Sequence, residues 1–291
     1  MQAYTHTPAR CEELECVHRF NNFVKAALIS TFFKPHGWVL DMPCGRGGDL
    51  KKFRESKASF YVGIDIVPEQ IEEAQRRFKA TKCMFGAIFE VADFTKPLSL
   101  ESRYDLVSCQ FAYHYAWNCK ESAQQVLRTA MERLTAGGSF VMTFPDWDTI
   151  VQRLFNEKTV EKTEKGDFIY RIGNRWHYLE FTSPYEFGEF MQNLQTEPFG
   201  QQYIYYQQGA IERVPEYMIE PNAFESLCRE EGLRIVYDKN FLEFEGDPFG
   251  KNLNVLRGAM GVTNVRDEDK RALISLYRAV VLQTKHKRFK K

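Results

Sequence analysis

Residues 38–49 read WVLDMPCGRGGD, and this stretch decides the fold that we expect. Its apolar start is typical of a short buried strand, and the glycines that follow are typical of a turn into a helix. A Gly-rich turn after a first parallel strand lets the backbone approach a ligand closely, because glycine has no Cβ. The stretch therefore predicts a ligand site at the carboxyl edge of a parallel sheet.

The rest of the chain alternates apolar runs with amphipathic segments. After a first helix over residues 20–33, helices are predicted at 48–55, 68–80, 119–134 and about 221–230. Strands are predicted at YVGIDIV, MFGAIFEVADF, YDLVSCQFAYHY, SFVMTF, RIVYDKNFLEF and SLYRAVVLQT. This alternation predicts an α/β, Rossmann-like fold, with a mostly parallel, seven-stranded sheet flanked by helices.

Three segments depart from the alternation. Residues 1–17 are polar and aperiodic, which predicts a flexible N-terminal arm before a domain over 18–284. Residues 151–166 are mostly polar with a helical pattern, and residues 168–206 are rich in aromatic residues and glutamine. We interpret residues 151–208 as an insertion after the fifth strand that either covers a substrate cleft or binds a partner. Residues 285–291, KHKRFKK, predict a basic, solvated tail that could also hold RNA or direct the chain to the nucleus.

The composition narrows the class of protein. Hydrophobic residues make up 44% of the chain, which predicts a globular protein. Lys plus Arg and Asp plus Glu both total 39, so any contact with RNA must be local. The seven cysteines lack CxxC spacing, which argues against a zinc cluster or a disulfide framework. Without a membrane-length apolar run or a signal-peptide pattern, we expect a soluble chain in a reducing, intracellular compartment.

Acidic residues end the two strands that follow the Gly-rich turn. Asp65 lies about twenty residues after the turn, where a carboxylate can accept hydrogen bonds from ribose hydroxyls. Asp93 closes the next strand, where it can meet the exocyclic amine of an adenine. A Gly-rich turn alone is also common in loops that bind nothing. The turn, both carboxylates and the alternating elements together indicate a nucleoside cofactor.

The turn itself narrows the choice of cofactor. It does not follow GxGxxG, and the chain contains no GxxxxGK(S/T), which argues against NAD and ATP. The pattern Asp-x-x-Cys-Gly-x-Gly-Gly-Asp, from Asp41 to Asp49, instead resembles the first motif of class I S-adenosylmethionine methyltransferases. Pro43 stands where that motif has its first glycine. Because proline has no amide donor, another group must hold the methionine end of the cofactor there.

A second cluster ends the fourth strand and reads Gln110-Phe111-Ala112-Tyr113-His114-Tyr115. Its aromatic side chains could stack on a base or simply fill a core. The cluster occurs together with Asn21-Asn22-Phe23-Val24-Lys25 in the first helix and with Val214-Pro215-Glu216-Tyr217. In this combination the chain resembles mRNA cap guanine-N7 methyltransferases from about residue 20 to 281.

The resemblance implies roles for particular residues. The residues that match the family's cofactor contacts are Lys25, Gly45, Asp49, Asp65, Asp93 and Gln110. Those that match its contacts to the cap guanine and phosphates are Asn21, Arg46, Arg77, Phe111, His114, Tyr115, Glu216 and Tyr277. Simpler interpretations remain at this point: Asn21 could cap a helix, Glu216 a turn, and Tyr277 could pack in the last strand. Either arginine could be a solvated surface charge.

The implied reaction is transfer of a methyl group from S-adenosylmethionine to N7 of the cap guanosine, which leaves S-adenosylhomocysteine. N7 carries a free lone pair, so the reaction needs no base and, as we expect, no metal. Catalysis would then depend on proximity and orientation, with His114 and Tyr115 orienting the guanine.

The resemblance also suggests partners and a location. We expect a monomeric catalytic domain that binds the capped 5′ end of RNA, in the nucleus or otherwise in the cytoplasm. An RNA guanylyltransferase or triphosphatase, or an activating subunit, are candidate partners. The chain contains no Lys-x-Asp-Gly motif and is not expected to add the guanosine itself. Two alternatives stay open: methylation of another RNA or a small molecule, and a catalytically silent activator or binding partner.

Overall fold

The computed structural model describes residues 11–81, 85–246, 249–250 and 253–284. The predicted basic tail at 285–291 and the first ten residues lie outside this range. The helices are α1 Glu15–Phe32, α2 Leu50–Glu55, α3 Pro68–Ala80, α4 Lys120–Arg133, α5 Trp147–Asn156, α6 Phe187–Thr196, α7 Pro221–Glu230, α8 Asn254–Ala259 and α9 Glu268–Ile274. The strands are β1 Trp38–Asp41, β2 Phe60–Asp65, β3 Gly86–Val91, β4 Tyr104–Gln110, β5 Leu134–Pro145, β6 Thr159–Lys162, β7 Phe168–Asn174, β8 His177–Ser183, β9 Gln202–Gln207, β10 Ile211–Tyr217, β11 Leu233–Asn240 and β12 Tyr277–Thr284.

In the described part of the chain, seven strands form one sheet in the order β11, β12, β5, β4, β1, β2, β3. Strands β1 to β5 pair in parallel, whereas β12 runs antiparallel to both β5 and β11. The predicted mostly parallel, seven-stranded sheet is therefore confirmed.

Each central strand is buried on both faces. Neighbouring residues such as Val39 and Leu40, or Leu106 and Val107, belong to two separate hydrophobic cores. Helices α1 to α3 pack into one core, and α4 and α7 pack into the other. A strand with helices on both sides must be apolar at successive positions, which is why the strands read as continuous apolar runs and not as alternating ones.

The strand order reverses between β1 and β4. From β1 the chain builds outward through β2 and β3, then returns to add β4 and β5 on the other side. In such sheets a crevice opens at this point, beyond the carboxyl ends of the strands. Asp41, Asp65 and Gln110 end the strands there.

A second sheet lies between β5 and α7 in sequence. Within the described residues it has the order β10, β9, β8, β7, β6, all antiparallel, with α6 between β8 and β9. The predicted insertion at 151–208 is therefore too short, because β10 continues to Tyr217. The predicted polar helix after residue 151 ends at Asn156 and gives way to β6. Several aromatic residues of this second sheet, among them Tyr170, Phe181 and Tyr203, are buried in the hydrophobic core that also contains α1.

The predicted arm over residues 1–17 is also too long. Residues 12–14 form a 3₁₀ turn, and α1 begins at Glu15. Leu14 and Val17 are fully buried in the same core as Phe20. Their spacing extends the apolar face of α1 by one turn, so the ordered domain includes residues from Cys11 onward.

Replacing Leu14 by alanine should lower the free energy of unfolding by about 2–5 kcal/mol, because the substitution leaves a cavity in a packed core. Urea denaturation would measure the change, with Glu12→Ala on the exposed side of the same turn as the control. Equal, small effects of the two substitutions would mean that this segment is not part of the core.

Candidate active site

A cavity of about 780 Å³ lies at the carboxyl edge of β1, β2 and β4. This volume is within the range of small-molecule sites, roughly 300–1,000 Å³. Helix α1 and the Gly-rich turn bound one side, and residues 210–216, which include much of β10, bound another. The cavity is lined by these predicted residues: Asn21, Lys25, Gly45, Arg46, Asp49, Asp65, Asp93, Gln110, Phe111, His114, Tyr115, Glu216 and Tyr277.

The Gly-rich turn leaves open space over its backbone. Gly45 has a φ of +51°, a left-handed conformation that favours glycine. A Cβ at Gly45 or Gly48 would meet no heavy atom within 4 Å. In the same wall, the buried side-chain Oδ1 of Asn21 has no hydrogen-bond partner among the described residues. Open space beside backbone and an unpaired buried acceptor both fit a bound polar ligand.

The carboxylate of Asp65 ties the turn to the end of β2. Its Oδ2 accepts a hydrogen bond from the Gly45 amide at 2.9 Å, and its Oδ1 accepts one from the Val67 amide at 3.0 Å. Burial raises the pKa of Asp65, and the two amides counter that effect. Because each carboxylate oxygen has two lone pairs, both oxygens can still accept a bond from a ribose hydroxyl.

Two further residues predicted to contact the cofactor, Asp93 and Gln110, are also held by hydrogen bonds. Oδ1 of Asp93 accepts hydrogen bonds from the amide and the hydroxyl of Thr95, at 2.9 and 2.7 Å. Oε1 of Gln110 accepts one from the Thr143 hydroxyl at 3.1 Å. Both side chains therefore have fixed orientations at the cavity wall.

Asp49 forms a buried ion network with two lysines. Lys25 Nζ lies 2.9 Å from Asp49 Oδ1 and 3.1 Å from Oδ2, and Lys52 Nζ lies 2.6 Å from Oδ1. Burial by itself would raise the pKa of Asp49, but the two ammonium groups outweigh it and hold that pKa well below its usual range. Asp49 is therefore ionised at neutral pH.

A second carboxyl group, that of Asp41, lies at the end of β1 below this network. Asp41 is almost fully buried, and its Oδ2 accepts a hydrogen bond from the Tyr61 hydroxyl at 2.9 Å. Burial, followed by the negative charge of Asp49, raises the pKa of Asp41 to about 7. Protonation of Asp41 avoids a second buried negative charge next to Asp49.

On the other side of the cavity, Glu216 presents a buried carboxyl group. It is 3% exposed, on the inner face of β10. The Tyr115 hydroxyl donates to its Oε1 at 3.2 Å, and the Tyr203 hydroxyl donates to its Oε2 at 2.8 Å. His114 Nε2 lies 3.4 Å from the same Oε1. The structure thus brings His114 and Tyr115 next to Glu216, which lies about 100 positions later in the sequence.

Aromatic rings line the cavity wall between the Gly-rich turn and Glu216. Phe111 has a φ of +55°, a strained conformation for a residue with a side chain, and its amide donates to the Thr143 carbonyl at 2.9 Å. Its ring packs edge-on against Tyr277 at 4.8 Å between centroids. The Tyr277 hydroxyl donates to that of Tyr205 at 3.1 Å, which links β12 to β9 of the second sheet.

Of the two arginines predicted to contact the cap phosphates, Arg46 lies at the cavity and Arg77 does not. Arg46 lines the cavity, and its Nε donates to Gln70 Oε1 at 3.2 Å. Arg77 is not brought into the cavity, because α3 carries it away from the turn, and it pairs with Glu73 at 2.6 Å on an exposed face. Asn21 lies inside α1, six residues after its start, so its alternative role as a helix cap is wrong.

Comparison with known proteins identifies the family. A family model described as the mRNA (guanine-N(7))-methyltransferase domain matches residues 10–280. The chain belongs to this family.

Relatives named mRNA cap guanine-N(7) methyltransferase are similar over most of this chain. The protein of Cryptococcus neoformans is 34% identical over 84% of this chain and 39% of its own length. That of Saccharomyces cerevisiae is 34% identical over 78% and 53%, and one from Arabidopsis thaliana, whose name carries the number 1, is 32% identical over 78% and 61%. The chain thus spans about two fifths to three fifths of the length of these relatives.

Solved structures support the fold alone. A S-adenosylmethionine-dependent methyltransferase of Clostridium acetobutylicum matches with a TM-score of 0.51 and 11% identity, over 92% of this chain and 91% of that one. A methyltransferase of Streptomyces caelestis matches with a TM-score of 0.52 and 14% identity, over 91% and 89%. The predicted class I methyltransferase fold is confirmed.

Sequence reasoning missed several residues that line the cavity or contact residues that do. Lys52 follows Lys51 near the start of a helix, a pattern typical of solvent-exposed charge. Asp41 was identified only as the first residue of the cofactor motif, with no role of its own. Tyr203, Tyr205 and Gln207 were placed in an insertion without defined elements, although their alternate spacing is typical of one face of a strand. That spacing was the available signal.

Two negative findings apply to the described residues. They contain no group of three or more histidine, cysteine, aspartate or glutamate side chains arranged to hold a metal ion. Nor does any helix in this part of the chain have the length and apolar character needed to cross a membrane.

Asp41→Asn should reduce the dependence of stability on pH. The carboxyl group of Asp41 holds a proton in the folded state up to about pH 7, whereas its ordinary pKa is 3.8. Its stabilising contribution is therefore complete below about pH 4 and is lost as the pH rises through about 7. Between pH 4.5 and 7.5 the wild type should lose about 2–4 kcal/mol relative to the variant in urea denaturation. Parallel profiles of the two proteins would mean that Asp41 is ionised throughout.

Proposed function

We propose that this chain transfers a methyl group from S-adenosylmethionine to N7 of the terminal guanosine of the mRNA 5′ cap. The observation that carries the proposal is the position of Glu216. This buried carboxyl group faces the same cavity as the Gly-rich turn and is held by two tyrosine hydroxyls. The residues proposed to bind the cofactor and the carboxyl group proposed to recognise guanine therefore line one cavity.

The geometry of Glu216 suits guanine. Tyr115 uses one lone pair of Oε1 and Tyr203 uses one of Oε2, so each oxygen can accept one further bond. Guanine offers the hydrogens of N1 and N2 side by side on one edge, and adenine offers no such pair. Because the carboxylate is desolvated, failing to satisfy it costs more than it would in water. Selection against adenine follows from that cost.

The aromatic residues would supply affinity that does not depend on sequence. Phe111 and Tyr115 both line the cavity, and stacking on a base contributes roughly 1–3 kcal/mol. Tyr277 holds the Phe111 ring edge-on, which limits its motion. His114 would orient the guanine from beside Glu216. Arg46 is the candidate contact for the cap phosphates.

The same cavity fits the cofactor. All five residues line the cavity, where Lys25 and Asp49 would hold the amino-acid end, Asp65 the ribose, Asp93 the adenine and Gln110 the methionine part. When bound, S-adenosylmethionine supplies an electrophilic methyl group on a positively charged sulfur.

Guanine N7 has a free lone pair, so no side chain has to remove a proton. The residues of the chain then act by fixing two ligands at near-contact distance, which is worth up to roughly 7–11 kcal/mol in favourable cases. We infer that capped RNA is the partner, and that the second sheet covers the substrate side of the cavity.

Glu216→Gln should lower kcat/KM for capped RNA by about 100-fold or more, because an amide presents one donor where the carboxylate accepts. The affinity for S-adenosylhomocysteine should stay unchanged. The assay is transfer of labelled methyl groups to GpppA-capped RNA, with ApppA-capped and uncapped triphosphate RNA as controls and digestion to locate the label.

Label on N7 of the cap guanosine, lost in the variant, supports the proposal. A wild-type chain that binds the cofactor but methylates neither capped RNA contradicts it, and would favour another substrate or a silent binding partner.

Tyr203→Phe tests how Glu216 is held. Loss of a hydrogen bond to a charged group costs about 1.5–3 kcal/mol. We therefore expect kcat/KM for capped RNA to fall by about 10-fold or more, mainly through KM for the RNA, with KM for the cofactor unchanged. Tyr217→Phe on β10 is the matched control, since its hydroxyl bonds to Gln202 at an exposed position. Equal effects of the two variants would show that Tyr203 does not position Glu216.

A further inference from the structure

Lys52 is a charged residue that the proposed reaction does not use directly. It is the third residue of the short helix α2, its side chain is 10% exposed, and it does not line the cavity. Its Nζ donates to Asp49 Oδ1 at 2.6 Å and to Asn22 Oδ1 at 3.0 Å. Lys52 therefore contacts the wall of the cavity through Asp49 and Asn22, both of which line it.

Asp49 lies between Lys52 and Lys25. Lys52 approaches Asp49 from outside the cavity, whereas Lys25 and Asp49 both face into it. Lys25 Nζ contacts both oxygens of Asp49, at 2.9 and 3.1 Å. Two ammonium groups thus share one carboxylate, while the nearby Asp41 retains its proton into the neutral range.

The charge of this cluster depends on Lys52. Below about pH 7, where Asp41 keeps its proton, the two lysines and the ionised Asp49 give the end of the cavity a net charge of about +1. Without Lys52, the charges of Lys25 and Asp49 would cancel, and Asp49 would hold Lys25 alone. In a desolvated site a net charge of this kind acts strongly on a bound ion.

We propose that Lys52 neutralises Asp49 from behind, so that Lys25 keeps a net positive charge for the carboxylate of the cofactor's amino-acid end. Lys52 is then a positioning residue, since it acts through Asp49. The inference rests on the proposed use of S-adenosylmethionine.

The burial of Lys52 supports this role. Burying an ammonium group costs free energy unless the group is paired, and a buried pair often contributes less to stability than apolar residues of the same volume would. Burial lowers the pKa of Lys52, and the charge of Asp49 counters that effect. Lys52 does not line the cavity, but its ammonium group offsets the negative charge of Asp49, which does. A buried charge in this position fits a function in binding.

The test is binding measured by calorimetry without RNA. Two ligands differ only at the amino-acid end: S-adenosylhomocysteine has the carboxylate, and 5′-methylthioadenosine lacks the amino-acid group. In Lys52→Met the affinity for S-adenosylhomocysteine should fall by about tenfold or more, and that for methylthioadenosine should stay within about twofold. Lys52→Arg keeps the charge and should retain most of the affinity for both.

Lys51→Met is the matched control, because Lys51 neighbours Lys52 on α2 but its side chain is 70% exposed and pairs with Glu55. It should alter neither affinity. Retained binding of methylthioadenosine shows that Lys52→Met is folded at the site.

Three results would overturn the inference: equal loss for both ligands, which indicates a structural role; no loss for either; or a wild type that binds neither, which also removes the proposed cofactor. Selective loss with no methylation of capped RNA would support Lys52 and refute only the proposed substrate.

Discussion

The hydrogen bond from the Gly45 amide to the Asp65 carboxylate joins the first two parallel strands at the edge where a ligand can bind. It fixes the Gly-rich turn while β1 and β2 pair in register below it. The positive φ of Gly45 allows the amide to point at Asp65 and keeps the space above it open. The half of the cavity proposed to hold the cofactor depends on this contact, because it fixes both the Gly-rich turn and the carboxylate proposed to bind the ribose.

The half of the cavity proposed to hold the cap guanine depends on a different sheet. Glu216 comes from β10, and its position relative to the turn is set by contacts between the two sheets. Tyr277 on β12 bonds to Tyr205 on β9, and the buried Arg153 of α5 donates to the Ala272 carbonyl at 2.7 Å. These contacts link the second sheet and its neighbouring helix to the segment that ends in β12. A reaction that depends on orientation needs such links, since small displacements lower the rate steeply.

The sequence predicted the part of the site built on the parallel sheet better than the part built on the second sheet. Strands such as β1 and β2 are short apolar runs bounded by turn residues, and Pro68–Ala80 and Pro221–Glu230 begin with a proline that marks the first helical turn. The bounds of the second sheet were not predicted, because its aromatic residues form a core that only long-range pairing creates. Arg77 matched a motif position, yet helix α3 directs it away, which spacing in sequence does not reveal.

The buried charges explain why the charge of the proposed cofactor site cannot be predicted from single residues. Asp41, Asp49, Lys25 and Lys52 are each costly to bury alone, and their protonation states are set by one another. Asp49 stays ionised because two ammonium groups surround it, and its charge in turn helps to keep Asp41 protonated. A motif identifies the residues that touch a ligand, whereas the charge they present is a property of the whole cluster. In its proposed role, Lys52 contributes to that charge although it does not line the cavity.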